Sequence, residues 1–208
     1  MTKLKEKETD MIQTVFPGSR SGTVTVPSSK SIAHRMLVCA GLSHEPARLR
    51  CRGISRDIMA TIDCLKGLGE DITVDGEIIL VNPSGYSEQS AGSLKSSQDC
   101  VELYCRESGS TLRFLLPVAG AMGKAGVFIM EGRLSERPMA EYEAVLKEHG
   151  MNIKRDKDLL YCSGQLRSGT YSLPGNISSQ YFSGLMFALP LLEGDSSICI
   201  EGNLESAD

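Results

Sequence analysis

Laid against itself, the chain repeats. Three stretches follow one order: a strand-prone run, a turn of Ser and Gly, an apolar helix, and a second strand ending near a glycine. The first comprises Gly22–Pro27, Ser28–Ser31, Ile32–Leu42 and Ala47–Gly53. The second comprises Asp99–Tyr104, Glu107–Ser110, Thr111–Ala121 and Gly126–Gly132. The third comprises Thr170–Leu173, Gly175–Ser179, Gln180–Leu192 and Ser196–Gly202. The first two continue alike. Ile58–Gly69 places Ile58, Ile62, Leu65 and Leu68 at helical spacing, Met139–Gly150 does so with Met139, Tyr142, Val145 and Leu146, and both end in a glycine stop. Two short strands follow each helix: Asp71–Val74 with Glu77–Val81 about an Asp75-Gly76 turn, and Asn152–Arg155 with Leu159–Cys162.

The pattern predicts an α/β (α+β) chain of about two and a half β-α-β-α-β-β units, roughly 70–80 residues apart, packed with pseudo-threefold symmetry. The third unit stops before its second helix, which leaves apolar surface uncovered. Tyr86–Gln98, rich in Ser and Gly, is expected to be a surface loop between units.

Charge and cysteine usage narrow the partners. The net charge of −4 does not suggest nucleic acid, while local basic clusters still allow an anionic small molecule. Seven cysteines are scattered without a Cys-x-x-Cys pair, most of them in apolar runs, and read as buried reduced thiols. His34, His44 and His149 lie far from any close thiol pair, so no metal site is expected. Met1–Asp10 is charged, and the longest apolar run, Phe182–Leu192, suits a core helix. The chain is therefore expected to be cytoplasmic, neither exported nor membrane-spanning.

Three helices begin with small hydroxyl and glycine residues. Such starts are ordinary caps, and they also offer free amides and a positive dipole end to anions. In equivalent places of packed units they could converge on one anionic ligand. Lys30 precedes the first helix, Arg35 lies one turn inside it, and Arg113 follows the second start. Arg56 and Arg137 occupy matching places before the second helices. A guanidinium fork suits phosphate or carboxylate, and an ammonium supplies a point charge. No Gly-x-Ser-x-Gly, Walker A or Gly-x-Gly-x-x-Gly motif is present. Glu107 and Glu136 have no carboxylate partner in sequence, so no complete catalytic machinery and no cofactor are implied.

Four motifs then carry a resemblance. Pro27-Ser28-Ser29-Lys30-Ser31-Ile32-Ala33-His34-Arg35 resembles the Pro-Gly-Ser-Lys-Ser-x-x-x-Arg signature of EPSP synthases. Glu107-Ser108-Gly109-Ser110-Thr111-Leu112-Arg113 is similar to Asn-Ser/Ala-Gly-Thr-x-x-Arg, Ser135-Glu136-Arg137-Pro138-Met139 to the Glu-Arg-Pro motif, and Asn176–Tyr181 to the Ser-Ser-Gln signature. The related transferase acting on UDP-N-acetylglucosamine carries a cysteine before its Arg-Pro motif; Glu131–Arg137 has none.

The resemblance implies the first domain of the enolpyruvyl transferase inside-out α/β barrel. It also implies a part in transferring the enolpyruvyl group of phosphoenolpyruvate to the 5-hydroxyl of shikimate 3-phosphate, with release of phosphate, in chorismate and aromatic amino acid biosynthesis. Lys30, Ser31, Arg35, Ser178, Ser179, Gln180 and Ser206 would hold shikimate 3-phosphate. Lys30, Gly109, Arg137 and Gln180 would hold phosphoenolpyruvate, and Gly109 would shape the pocket for the inhibitor glyphosate.

Two departures follow. Glu107 stands where the family usually has Asn, so its carboxylate is expected to point away from the ligand or to pair with an Arg such as Arg106. The chain has about half the family's usual length. The general acid and base, and further cations for phosphoenolpyruvate, would lie in a C-terminal domain that this chain lacks, so the fragment alone is expected to be inactive. Residues 1–21, with a family strand near Ile12–Phe16, would belong to that second domain and be disordered here or pair with another molecule; 22–208 would form the shikimate 3-phosphate-binding domain. The alternative is a stand-alone, non-catalytic anion-binding or interaction domain of the same fold.

Overall fold

The computed structural model describes residue 14, residues 16–82 and residues 100–203. The first unit contains α1 (Lys30–Gly41), β1 (Ala47–Arg50), α2 (Arg56–Leu68), β2 (Asp71–Asp75) and β3 (Ile78–Asn82). The second contains β4 (Val101–Arg106), α3 (Gly109–Ala121), β5 (Gly126–Met130), α4 (Ala140–Glu148), β6 (Met151–Asp156) and β7 (Leu159–Gly164). The third contains β8 (Thr170–Pro174), α5 (Ser179–Ala188), a 3-10 turn at Leu189–Leu191 and β9 (Ser197–Glu201). This is the mixed α/β order the repeats predict, with one exception.

Each unit has its own sheet, ordered β1-β3-β2, β4-β5-β7-β6 and β8-β9. The opening strands of the second and third units pair in parallel with their partners, β4 with β5 and β8 with β9, and the hairpins are antiparallel. The exception is Gly22–Pro27, expected as the opening strand of the first unit. It forms no strand, and residues 16–27 are exposed throughout. Only its end is anchored: the Ser28 amide donates to the Arg52 carbonyl at 2.9 Å, and the Arg52 amide donates to Ser28 Oγ at 2.9 Å. The physical reason is missing cover. α2 of the first unit packs on β4, and α4 of the second packs on β8, so each second helix shields the next unit's opening strand. No described helix buries residues 22–27 in this way.

α3 is the centre of the molecule. Of its residues only Ser110 and Arg113 are not buried, as an all-round apolar helix requires. Leu112, Phe114, Leu115 and Leu116 are fully buried, each burial worth roughly 1.5–3 kcal/mol. Pro117 lies inside this helix and has no N–H for the Arg113 carbonyl four residues back. The Tyr142 hydroxyl donates to that carbonyl instead, at 3.1 Å, tying α4 to α3. α5 closes on the same point. A Cβ on Gly184 would collide with the Arg113 carbonyl oxygen, so only glycine permits this approach of α3 and α5.

Other boundaries shift by small amounts. α5 ends at Ala188, short of Leu192, because Pro190 cannot donate within the helix. The first hairpin turns at Gly76-Glu77, with Gly76 at φ +58, one residue later than Asp75-Gly76. Of the thiols, Cys51, Cys64, Cys105 and Cys162 are buried, whereas Cys39, Cys100 and Cys199 are exposed, against the expectation of general burial. Among the described residues no helix is long and apolar enough to cross a membrane. The expected loop at 86–98, Ser206 and most of residues 1–21 lie outside the described residues.

Candidate functional site

α1, α3 and α5 share a construction: a serine N-cap, Ser29, Ser108 or Ser178, accepts an amide of the first turn. Side chains then join the three starts. Gln180 of α5 donates from Nε2 to Ser110 Oγ of α3 at 2.8 Å, and its Oε1 accepts from Arg113 Nη1 at 2.8 Å. Arg35 of α1 donates from Nη2 to Ser183 Oγ of α5 at 2.9 Å and from Nη1 to Ser31 Oγ at 2.6 Å. The starts therefore lie at one end of the bundle, as their equivalence in the repeat suggests.

Cations line that end. A Cβ added to Gly109 would lie 2.8 Å from both Arg113 Nη1 and Arg137 Nη1, so two guanidiniums converge on the first residue of α3. Neither is in a salt bridge among the described residues. Like charges this close repel, and an anion between them removes the penalty. Arg113 also lies over the Tyr181 ring at 5.6 Å, and Arg35 over the Phe114 ring at 5.2 Å.

Arg137 reaches the site from the loop between β5 and α4, which is fastened at several points. Arg155 Nη1 donates to the Ser135 carbonyl at 3.1 Å, Ser135 Oγ to Asp158 at 2.6 Å, and the Tyr181 hydroxyl to the Pro138 carbonyl at 2.6 Å. Leu134 and Met139 of the loop are buried in the hydrophobic core and anchor it there.

Lys30 opens α1 and pairs with Asp57 at 2.7 Å, its side chain still 57% exposed, so it can turn to a ligand at little cost. Ser31, Gly109, Ser178, Ser179 and Gln180 sit at the helix starts, and Arg35 lies about a turn and a half inside α1. Arg56 is at the rim, 3.9 Å from Glu131 and largely exposed. Arg56 opens α2, whereas Arg137 lies in the loop ahead of α4, so their places match less closely than the sequence implies. Arg106 is occupied by Asp63 at 2.9 Å and does not neutralise Glu107. The Glu107 carboxylate instead fills the space that a Cβ on Gly132 would need.

Ser110 and Ser183 were not singled out from sequence as site residues. Ser183 follows Ser179 by four residues, as Arg35 follows Ser31, which puts each pair on one helix face; that spacing is the signal that could have found it.

An α/β chain of repeated units, with helix starts and guanidiniums gathered at one end, defines a class suited to anionic ligands. Comparison with known proteins narrows it. The family described as EPSP synthase (3-phosphoshikimate 1-carboxyvinyltransferase) matches residues 16–207, and the chain belongs to that family. The 3-phosphoshikimate 1-carboxyvinyltransferase of Clostridium beijerinckii is 37% identical over 194 residues, covering 92% of this chain and 44% of that protein. Its counterpart in Clostridium acetobutylicum is 40% identical over 199 residues, with the same shares of 92% and 44%. The solved structure of EPSP synthase from Acinetobacter baumannii has the same fold over 89% of this chain and 41% of that one, at TM-score 0.71 and 24% identity. The chain thus spans less than half the length of the relatives it matches.

Proposed function

We propose that this chain is the shikimate 3-phosphate-binding part of an EPSP synthase and is inactive without the remainder of that enzyme. The observation that carries the reading is the meeting of three serine-capped helix starts with Arg35, Arg113 and Arg137. Ser178 and Ser179 take the 3-phosphate through hydroxyls and helix-start amides, together with Ser206. Ser31 and Arg35 hold the same substrate from α1, and Gln180 lies against its ring. Lys30 lies between the two substrates. Gly109, Arg137 and Gln180 receive phosphoenolpyruvate.

In the whole enzyme the 5-hydroxyl attacks the central carbon of phosphoenolpyruvate while its methylene carbon takes a proton. The tetrahedral intermediate then loses phosphate. The residues of this chain orient two anions that repel each other and stabilise the charge that develops; the proton-transfer groups belong to the second domain. Residues 22–208 form the substrate domain in this reading, residues 1–21 belong with the second domain, and the enzyme works in the cytoplasm.

The test is calorimetric titration of the chain with shikimate 3-phosphate, beside an Arg35→Ala variant. Saturable binding that weakens about tenfold or more in the variant is expected. A folded chain that does not bind, or binding indifferent to Arg35, contradicts the reading.

A further inference from the structure

Of five buried polar or charged residues among those described, four form one chain: His34, Thr61, Ser108 and Thr111, each no more than 1% exposed. His34 Nδ1 and Thr61 Oγ1 are 2.7 Å apart, Thr61 Oγ1 and Thr111 Oγ1 are 2.7 Å apart, and Thr111 Oγ1 donates to Ser108 Oγ at 2.7 Å. The chain crosses from α1 through α2 to the cap of α3.

Its direction follows from counting protons. A threonine hydroxyl has a single hydrogen, and that of Thr111 goes to Ser108. Thr111 must therefore accept from Thr61, and Thr61, its own hydrogen spent, must accept from His34 Nδ1. The imidazole is thus the Nδ1–H tautomer, and its Nε2 is a bare acceptor, buried and without a partner among the described residues. Burial, the largest influence on this histidine, holds its pKa near 4, in keeping with a neutral ring.

Apolar side chains of the same shape would fill this space without leaving Nε2 unsatisfied. Both ends of the chain abut the site. Ser108 directly precedes Gly109 and caps the helix whose Ser110 holds Gln180, while His34 directly precedes Arg35.

We propose that His34, Thr61, Thr111 and Ser108 are positioning residues: a directed hydroxyl chain that fixes the start of α3 relative to the start of α1, and so the spacing of the two anion subsites. This rests on the reading above. The chain acts through Ser31, Arg35, Gly109 and Ser110 and touches no ligand itself.

Nuclear magnetic resonance of the whole chain and of two variants tests it. Thr111→Val keeps the volume and removes the hydroxyl; Thr111→Ser keeps the hydroxyl. In the unaltered chain His34 should show a protonated Nδ1 and an unprotonated Nε2. Thr111→Val should remain folded by thermal unfolding, shift the amides of Ser31 and Arg35 on the other helix, and weaken shikimate 3-phosphate binding about tenfold. Thr111→Ser should restore those amide positions and bring affinity back to within about twofold.

A protonated Nε2, unmoved α1 amides in Thr111→Val, or equal losses in the two variants would overturn the proposal. If Thr111→Val unfolds, the His34 tautomer and the Thr111→Ser amides decide it. If the unaltered chain binds no shikimate 3-phosphate, the functional reading fails, and the tautomer and α1 amides still decide whether the chain couples the helices.

Discussion

In the second unit, β4 buries Leu103 and Cys105 and pairs in parallel with β5; in the first, Val24 and Val26 are 82% and 67% exposed. The two segments alternate apolar residues alike. The third unit shows how close the first comes to pairing: its Gly175 amide donates to the Glu201 carbonyl just past the β8–β9 ladder, as the Ser28 amide donates to Arg52. Carried backward in that register, Val26 and Val24 would face Cys51 and Leu49, the inward positions beside β1. What differs is the covering helix, which β4 and β8 have and which no described helix supplies to residues 22–27. Alternation makes a strand possible; burial of one face makes it stable.

Equivalent substitutions should expose this difference. Leu103→Ala should cost about 3 kcal/mol in urea unfolding, as expected for a fully buried leucine. Val24→Ala, its counterpart, should cost less than about 0.5 kcal/mol. Similar losses at both sites would mean that residues 22–27 are packed after all.

Acid should strike the first unit through His34. Burial lowers its folded pKa from 6.5 to about 4, against the opposing pull of Asp57 and with help from Lys30 and Arg35. The unfolded chain takes up this proton first, so stability falls as the pH drops from about 6.5 to about 4, by at most about 3 kcal/mol, and this loss levels off below. Replacing His34 with a residue that does not titrate should flatten that part of the stability–pH curve; an unchanged slope would place the acid sensitivity elsewhere.

The hairpins offer the mildest contrast. Both use a two-residue loop with positive φ at its first position, Gly76 at +58 in the first unit and Lys157 at +51 in the second. Lys157→Gly should therefore gain up to about 1 kcal/mol, and Gly76→Ala should lose about as much, by thermal unfolding.

The repeat was readable because its signals are local: helix periodicity, glycine stops, and serines ahead of apolar runs. These put the starts of α1, α3 and α5 and their caps in place within two residues. What was not readable depends on partners distant in sequence. The failure of the strand at Gly22–Pro27 follows from the lack of a covering helix among the described residues. Pro117 would ordinarily argue against a continuous α3, and it is tolerated because Tyr142, far along the chain, supplies the missing donor. Arg106 was a reasonable partner for Glu107, and Asp63 on α2 takes it instead. The site was legible as a set of basic and small residues; the crossing bonds from Gln180 to Ser110 and from Arg35 to Ser183 were not, because spacing within one helix carries no information about the helix beside it.

The convergence of the helix starts can be measured directly by following the amides of Ser31, Ser110 and Ser179, one on each start, during titration with shikimate 3-phosphate. The account predicts that all three shift together along one saturation curve. Shifts confined to a single helix start, or three amides following different curves, would contradict it.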